Sequence, residues 1–392
     1  MKIRLNRFTV VLLLFLPCAI LAQFKIDRID DDYTSSIKVI EFWSRPHFNR
    51  VEGVFLHSGL FVRPVINSEL TLAFNAGYGT KNRDVRYSAS VRYRFFREDR
   101  TILHAGLFKE TYSNDSWKIG RIENSFAGLL LREDFMDYFL RQGWYAFVDQ
   151  MLWHQHIVRL EFANYRYGSM PVYSNFAGTF FGADKQFPIN PEIISGREKS
   201  LRLYLSLDFR RTSYFETSGL SLNASVQKNW GDFPNLGVFT DWRYHLPVFE
   251  NQKLSFQLLA GFRKGSAAPQ HLMSIGGVGS LRAWPERFHK GQNLLYVKAA
   301  YDLGGGLLLK TPAKKIPTID SAGLGVFYEM GDAWASEHPQ SSLFSGLNHA
   351  GWLMDAGISV FFFDGIIRFD FARQLVDSPK SWRITMRIFN RF

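Results

Sequence analysis

The sequence has one cysteine among its 392 residues. That residue, Cys18, lies inside an apolar leader, so the rest of the chain has no thiol. A disulfide framework and a thiolate metal site are both excluded. A lipid anchor on Cys18 is the weaker reading, because Phe15-Leu16-Pro17 is the wrong lead-in for one. Beyond the leader there is no apolar run of the roughly 20 residues that a transmembrane helix needs. Enzyme signatures are also missing: there is no Gly-x-Ser-x-Gly, no Walker loop and no His-Glu-x-x-His. His154 and His156 flank Gln155 beside Trp153, where polar residues at a membrane interface are expected rather than a metal or catalytic site. His271 and His289 lie in a long loop with no partner that the sequence identifies. The expectation is no enzyme, no bound metal and no cofactor.

The leader itself is well marked. Lys2, Arg4 and Arg7 form a basic start, Phe8 to Leu16 an apolar run, and Ile20-Leu21-Ala22 a small-residue end. Residues 1–22 therefore read as a secretory signal peptide cut after Ala22, and 23–35 as a short polar periplasmic segment carrying Asp30-Asp31-Asp32. Without the leader's three cations, 44 basic side chains face 36 acidic ones. Such a balance is compatible with nucleic acid, but export past the inner membrane argues against that partner. A basic lumen, or contact with anionic outer-membrane lipids and lipopolysaccharide, fits it. So does an ordinary solvated surface.

What the chain does have is aromatic and aliphatic residues spread through short alternating segments. Period-two alternation is the strand signal. It predicts strands at 36–44, 51–65, 69–80, 84–97, 100–112, 143–153, 156–168, 200–210, 219–231, 234–248, 252–265, 293–304, 322–334, 352–363, 365–375 and 381–392. Many reach the length that crosses a bilayer at a tilt. In 84–97, Val85, Tyr87, Ala89, Val91, Tyr93 and Phe95 alternate with Arg86, Ser88, Ser90, Arg92 and Arg94. One face suits lipid and the other a wet interior. The fold class expected is all-β: a transmembrane antiparallel β-barrel of sixteen strands over 36–392, preferred to a soluble β-sandwich. An even count places both chain ends on the periplasmic side. It also sorts the connections: 66–68, 98–99, 154–155, 211–218, 249–251 and Asp364 are short, with 305–321 the exception. Those at 45–50, 113–142, 169–199, 266–292 and 335–351 face outside. Within 113–142, Phe126, Leu129, Leu130, Phe135, Tyr138 and Phe139 recur at helical spacing. A short helix folded onto its own loop is preferred there to a cap over the barrel mouth.

The final segment, from Trp382 to Phe392, puts Trp382, Ile384, Met386, Ile388 and Phe392 on one face and Arg383, Thr385, Arg387 and Arg391 on the other. An arginine facing lipid at mid-depth costs about 2–4 kcal/mol, so these arginines point inward. A terminal Phe closing an alternating strand resembles the recognition signal of outer-membrane barrels.

The stretch from Ile275 to Phe288 is the odd one out. Gly276, Gly277, Val278, Gly279, Ser280, Leu281, Arg282, Ala283 and Trp284 make neither strand nor helix. They suit a compact loop, 266–292, folded into the barrel, with glycines allowing close backbone approach and Trp284 wedging the tip. A guanidinium carried inward needs a partner. Glu329 is the expected wall partner of Arg282, and Asp332 the alternate.

These residues carry a resemblance. Gly276-Gly277, Ser280 to Trp284 and Arg287-Phe288 resemble the sixth extracellular loop of the BamA-like superfamily, which includes outer-membrane assembly factors, two-partner secretion transporters and bacterial surface antigens. Phe327-Tyr328-Glu329-Met330-Gly331-Asp332-Ala333-Trp334 resembles the family's strand-thirteen pattern. Asn49-Arg50-Val51-Glu52-Gly53 resembles an early-strand signature of lineages with little periplasmic region. Ala283 stands where the family has Gly, and Glu329 where it has Asp. Lys298 and Ala299 occupy the place of a further expected acid. The resemblance implies a short form without periplasmic substrate-binding repeats, which assists insertion or translocation of proteins or lipids at the bacterial outer membrane. Client or partner outer-membrane proteins would act with it. A plugged or gated channel is a competing expectation. So is a structural subunit of a larger outer-membrane complex, docking through 113–142 and 169–199.

Overall fold

The computed structural model describes residues 40–388 apart from 65–66, 68, 96–99, 154, 174–184, 213–216, 250–251, 305–321, 336–350, 364 and 377–379. Sixteen antiparallel strands are built from them. The first, β1, runs over Ile40–Ser44 and resumes as His47–Asn49. Then come β2 (Gly53–Val62), β3 (Leu70–Gly79), β4 (Val85–Phe95), β5 (Thr101–Tyr112), β6 (Phe139–Leu152), β7 (His156–Ser169) and β8 (Gly196–Asp208). The second half holds β9 (Thr217–Gly231), β10 (Asn235–Pro247), β11 (Lys253–Gly265), β12 (Asn293–Gly304), β13 (Gly323–Trp334), β14 (Leu353–Phe362), β15 (Ile367–Gln374) and β16 (Trp382–Ile388). Every strand pairs with the next in sequence, making one large sheet. No helix among the described residues is long and apolar enough to cross a membrane.

Each of the sixteen segments read from alternation holds a strand. The first is longer than expected: it breaks at Arg45-Pro46, where proline lacks a ladder N–H, and continues to Asn49. β6 starts at Phe139, earlier than its alternation suggested, because Phe139 pairs with both Tyr112 and Ser169. The signal peptide, residues 23–35 and Phe392 lie outside the described residues.

Side chains sort as alternation requires, with the polarity of a soluble protein inverted. On β4, Val85 is 48% exposed and Arg86 only 6%. On β16, Trp382 and Ile384 are 64% and 65% exposed, whereas Arg387 is 4%. The outward apolar surface continues through Phe74, Leu107, Trp144, Leu203, Phe256 and Ile358. It runs over neighbouring strands far beyond the few hundred Å² that soluble monomers expose.

One helix, α1 (Arg121–Leu131), follows a 3₁₀ turn at Asn114–Trp117 in the β5–β6 loop. It is shorter than the helical spacing suggested. Arg132 takes φ 54° as the C-cap, and Asp134 is drawn off to the Arg50 backbone. Phe135, Met136 and Tyr138 pack with Val51, Ile119 and Val278 instead. The loop does fold onto its own helix, Asn124 bonding Asp134, Tyr138 and the Phe135 N–H, and it also lies against the β1–β2 turn and the long β11–β12 loop. Among the described residues no hydrogen-bonded pair joins β1 to β16. The sheet nonetheless curls far enough that both edge strands touch α1.

Candidate functional site: the loop folded into the barrel

The β11–β12 loop enters the lumen as a small hairpin, Met273–Ile275 paired with His289–Gly291. Its tip is a tight knot. Gly276, Gly277, Gly279 and Leu281 all have positive φ, the region only glycine adopts without cost. A Cβ on Gly276 would lie 2.5 Å from the Pro285 carbonyl oxygen, and one on Gly277 would overlap the Glu286 carboxyl. Ser280 Oγ accepts from the Gly276 N–H at 3.2 Å, and Glu286 Oε1 accepts from the Val278 N–H at 2.5 Å. The tip buries Ile275, Leu281, Ala283 and Trp284 in one apolar cluster with Leu294, Tyr296 and Phe327 of the wall.

Arg282 sits at the end of this knot, 1% exposed. Its Nη2 lies 3.1 Å from Glu329 Oε1, and its Nη1 lies 3.0 Å from Asp370 Oδ1. The Asp370 contact is an ion pair rather than an aligned hydrogen bond, since Nη1 has no hydrogen-bond partner. The guanidinium carbon lies 4.0 Å from the Phe327 ring centroid, a cation–π contact. Two successive backbone groups complete the hold: Arg282 N donates to Glu329 Oε2 at 3.2 Å, and Ala283 N donates to Asp355 Oδ2 at 2.7 Å. Gln374 Nε2 donates to the Ala283 carbonyl at 3.1 Å, and Arg383 to that of Trp284. The Trp284 indole donates to the Met354 carbonyl at 3.4 Å.

The wall is ready for this because of register. Lys298, Glu329, Asp355 and Gln374 stand opposite one another across β12, β13, β14 and β15. Arg368 and Ser359 bind Asp370 at 2.6 Å each. Three buried cations, Arg282, Lys298 and Arg368, thus meet three buried acids, Glu329, Asp355 and Asp370. That balance makes the burial tolerable, because an unmatched ion in such a place is costly. Burial works against the charge on Arg282, yet Asp370 and Glu329 raise its pKa above the usual arginine value.

The structure brings Gly276, Gly277, Ser280, Leu281, Arg282, Ala283, Trp284 and Glu329 together. It does not bring Asp332 to Arg282: Asp332 takes His289 Nδ1 at 2.6 Å. Asp355, Asp370 and Gln374 escaped the sequence reading. Asp355 is a lone acid in an apolar strand, which asks for a cation without naming it; Asp370 has Arg368 two positions away on its own strand and gave no such sign. His271 also has partners, Glu198 Oε2 at 2.9 Å and Asn235 Nδ2 at 3.2 Å.

A second anchor holds the β5–β6 loop. The turn from Asn49 to Gly53 is buried throughout. Arg50 Nη1 pairs with Asp134 at 3.1 Å, and Nη2 with Asp137 at 3.0 Å and Asn190 at 3.2 Å. Glu52 takes Asn49 Nδ2 at 2.7 Å and Arg86 at 3.3 Å. Asp137 and Asp115 also receive Arg287 of the inner loop, at 3.0 and 3.8 Å. Burial opposes ionisation of Asp115, but Lys118 and Arg287 bring its carboxyl down to about 2.

Comparison with known proteins is consistent with this architecture. Residues 27–168 match the profile described as "Family of unknown function (DUF5686) C-terminal domain". No curated protein matches the sequence. Among solved structures, the chain is similar to BamA from Haemophilus ducreyi lacking POTRA domains 1–3, with TM-score 0.58 and 14% identity, over 89% of this chain and 70% of that one. CdiB from Acinetobacter baumannii (TM-score 0.44, 12% identity) covers 90% of this chain. CdiB from Escherichia coli (TM-score 0.45, 11% identity) does the same. The chain spans 60% and 62% of those two. The BamA likeness is one of fold: an all-β, antiparallel barrel sheet.

Proposed function

We propose that this chain is a bacterial outer-membrane barrel that assists insertion or translocation of other proteins, using the edge between β1 and β16 as its working site. The observation that carries the reading is the loop tip bound to the wall through Arg282. This tether, on a barrel with the BamA fold, fixes a plug in the lumen. It also biases work toward the unzipped edge rather than a central pore. Exposed edge backbone is a template on which a client strand adds by hydrogen bonding. The outward apolar belt meets lipid, and the chain's overall excess of basic over acidic side chains suits anionic headgroups, lipopolysaccharide among them. Client outer-membrane proteins are the partners. No catalytic, metal or cofactor role belongs to the reading.

The test is reconstitution in lipid vesicles. An unfolded outer-membrane barrel added from urea should fold faster in vesicles containing the protein than in empty ones. A cysteine in β1 should cross-link to the client's edge strand. Equal folding rates and no cross-link would reject the assembly role. A plugged channel is the second reading, favoured by the same tethered tip. Under it, deletion of 276–288 produces steady ion conductance while client folding is unaffected by the protein.

A further inference from the structure

Helix α1 supplies hydrogen-bond partners to the backbone of both edge strands, at Phe48 on one and Ile388 on the other. Phe48 stands opposite Val54 in register, but Val54 turns its own N–H to Thr80 and its carbonyl to the Thr80 N–H. The backbone groups of Phe48 therefore point to the open edge. There Ser125 meets them: Phe48 N donates to Ser125 Oγ at 3.0 Å, and the single proton of that hydroxyl has two acceptors in reach, the Arg121 carbonyl at 2.7 Å and the Phe48 carbonyl at 3.1 Å. The hydroxyl takes the Phe48 N–H that a neighbouring strand would otherwise accept. On the other edge, the Ile388 N–H donates to Glu123 Oε1 at 3.1 Å. Arg387 grips the same carboxylate with Nε at 2.6 Å and Nη2 at 3.0 Å, and also reaches the Lys118 carbonyl at 3.1 Å.

Glu123 and Ser125 are two positions apart, and at about 100° per residue they lie on opposite sides of the helix. Gly128 is one turn on from Ser125, on the same side. A Cβ at Gly128 would lie 2.9 Å from the Phe48 ring. Glycine is thus what lets the helix seat against β1, although it costs helix propensity. Arg387 and Glu123 are both buried, so this grip is not a loose surface pair.

We infer that α1 is a removable wedge: it sits in the β1–β16 seam, binds one edge with each side, and keeps the seam unavailable until it is displaced. The inference regulates the site named under the proposed function and rests on that reading only for what enters afterwards. Occupation of both edges by the protein's own helix stands without any client. Displacement exposes Phe48 and Ile388 together, and a client strand then competes with Ser125 and Glu123 for the same backbone groups. The helix and the client are alternative occupants, which confines strand addition to moments when a client or a partner has pulled the β5–β6 loop away.

Hydrogen exchange on the full chain in vesicles, without client, tests this. In the wild type the amides of Phe48 and Ile388 are protected and open in step with those of α1 as denaturant is raised. Ser125→Ala speeds Phe48 exchange on the order of tenfold, and Glu123→Ala does the same at Ile388. Gly128→Leu, which keeps both polar groups, speeds both. The paired amides of Ala105 and Ala146 across β5–β6 stay unchanged in all three, which separates wedge loss from general unfolding. The inference is overturned if Phe48 and Ile388 stay protected after the α1 amides have exchanged. It is equally overturned if the variants leave their exchange unaltered. The wild-type comparison decides even where a variant does not fold. A wedge confirmed here with no stimulation of client folding would reject the assembly role alone.

Discussion

Replacing Arg282 by alanine withdraws one cation from a buried set of three cations and three carboxylates. Glu329 loses its 3.1 Å partner and Asp370 its 3.0 Å partner. The contact with the Phe327 ring goes as well. Lys298 stays in register with Glu329, and Arg368 stays bonded to Asp370, so neither acid is wholly abandoned. Removing one member of a buried charge pair costs about 3–5 kcal/mol; with two cations left, the lower end, about 3 kcal/mol, applies. That is a large part of the 5–15 kcal/mol typical of a folded domain. Arg282→Lys keeps the charge but reaches one carboxylate instead of two, so its cost is smaller, on the order of 1.5–3 kcal/mol, one charged hydrogen bond. The assay is equilibrium unfolding in urea from lipid vesicles, combined with protease sensitivity of 266–292. Pairing Arg282→Ala with Glu329→Gln in a double-mutant cycle should give a coupling on the order of 1–3 kcal/mol. Wild-type stability in Arg282→Ala, with the loop still protected from protease, would refute the reasoning. So would strict additivity in the cycle.

Other consequences concern neighbouring groups. Burial lifts the Glu286 carboxyl to about 7, against the Val278 N–H and the cations Lys118, Arg287 and Arg383. The folded state therefore holds this proton more tightly than the unfolded chain does. The loop's stability is complete below about pH 4.5 and falls as pH rises toward 7. Protease sensitivity of 266–292 at pH 5 and pH 8 should show this, and Glu286→Gln should abolish the difference. Gly279→Ala asks a side chain to adopt φ 91° and to overlap the Lys118 carbonyl; a strain of about 1–3 kcal/mol should detach the loop tip from 113–120, seen as faster amide exchange there. Val91→Arg places a charge mid-strand on the outward face. It should cost about 2–4 kcal/mol in a bilayer, measured by vesicle folding titration, and almost nothing if that face met water.

The strands were legible because the barrel imposes the simplest code a sequence can carry. In β4, each apolar residue from Val85 onward faces out and each arginine faces in, so two letters suffice. Arg282 stood out as a charge in a glycine knot, and Glu329 because the segment from Phe327 to Trp334 resembles the strand-thirteen pattern of the BamA-like superfamily. Asp355 and Asp370 needed the sheet register, which sets β12 to β15 side by side and joins acids far apart in sequence. Helix α1 was readable at Phe126 and Leu129, but its end was not. The spacing of Phe135, Tyr138 and Phe139 imitates further turns, while the cause of the break, the bond from Arg50 N to Asp134, spans 84 residues of sequence. The contact of Glu123 with Arg387 spans 264 residues and has no local trace.

The decisive feature is where the tip of the β11–β12 loop rests in the membrane-embedded protein. Cysteines at Ala283 and Gln374, whose backbone oxygen and side-chain nitrogen lie 3.1 Å apart, can be treated with a short bifunctional maleimide in native membranes. The pair Ala105 and Ala146, opposed across β5 and β6, serves as the control. Linking of 283 to 374 as fully as the control is the predicted result. A linked control with positions 283 and 374 unlinked would contradict a loop tethered inside the barrel.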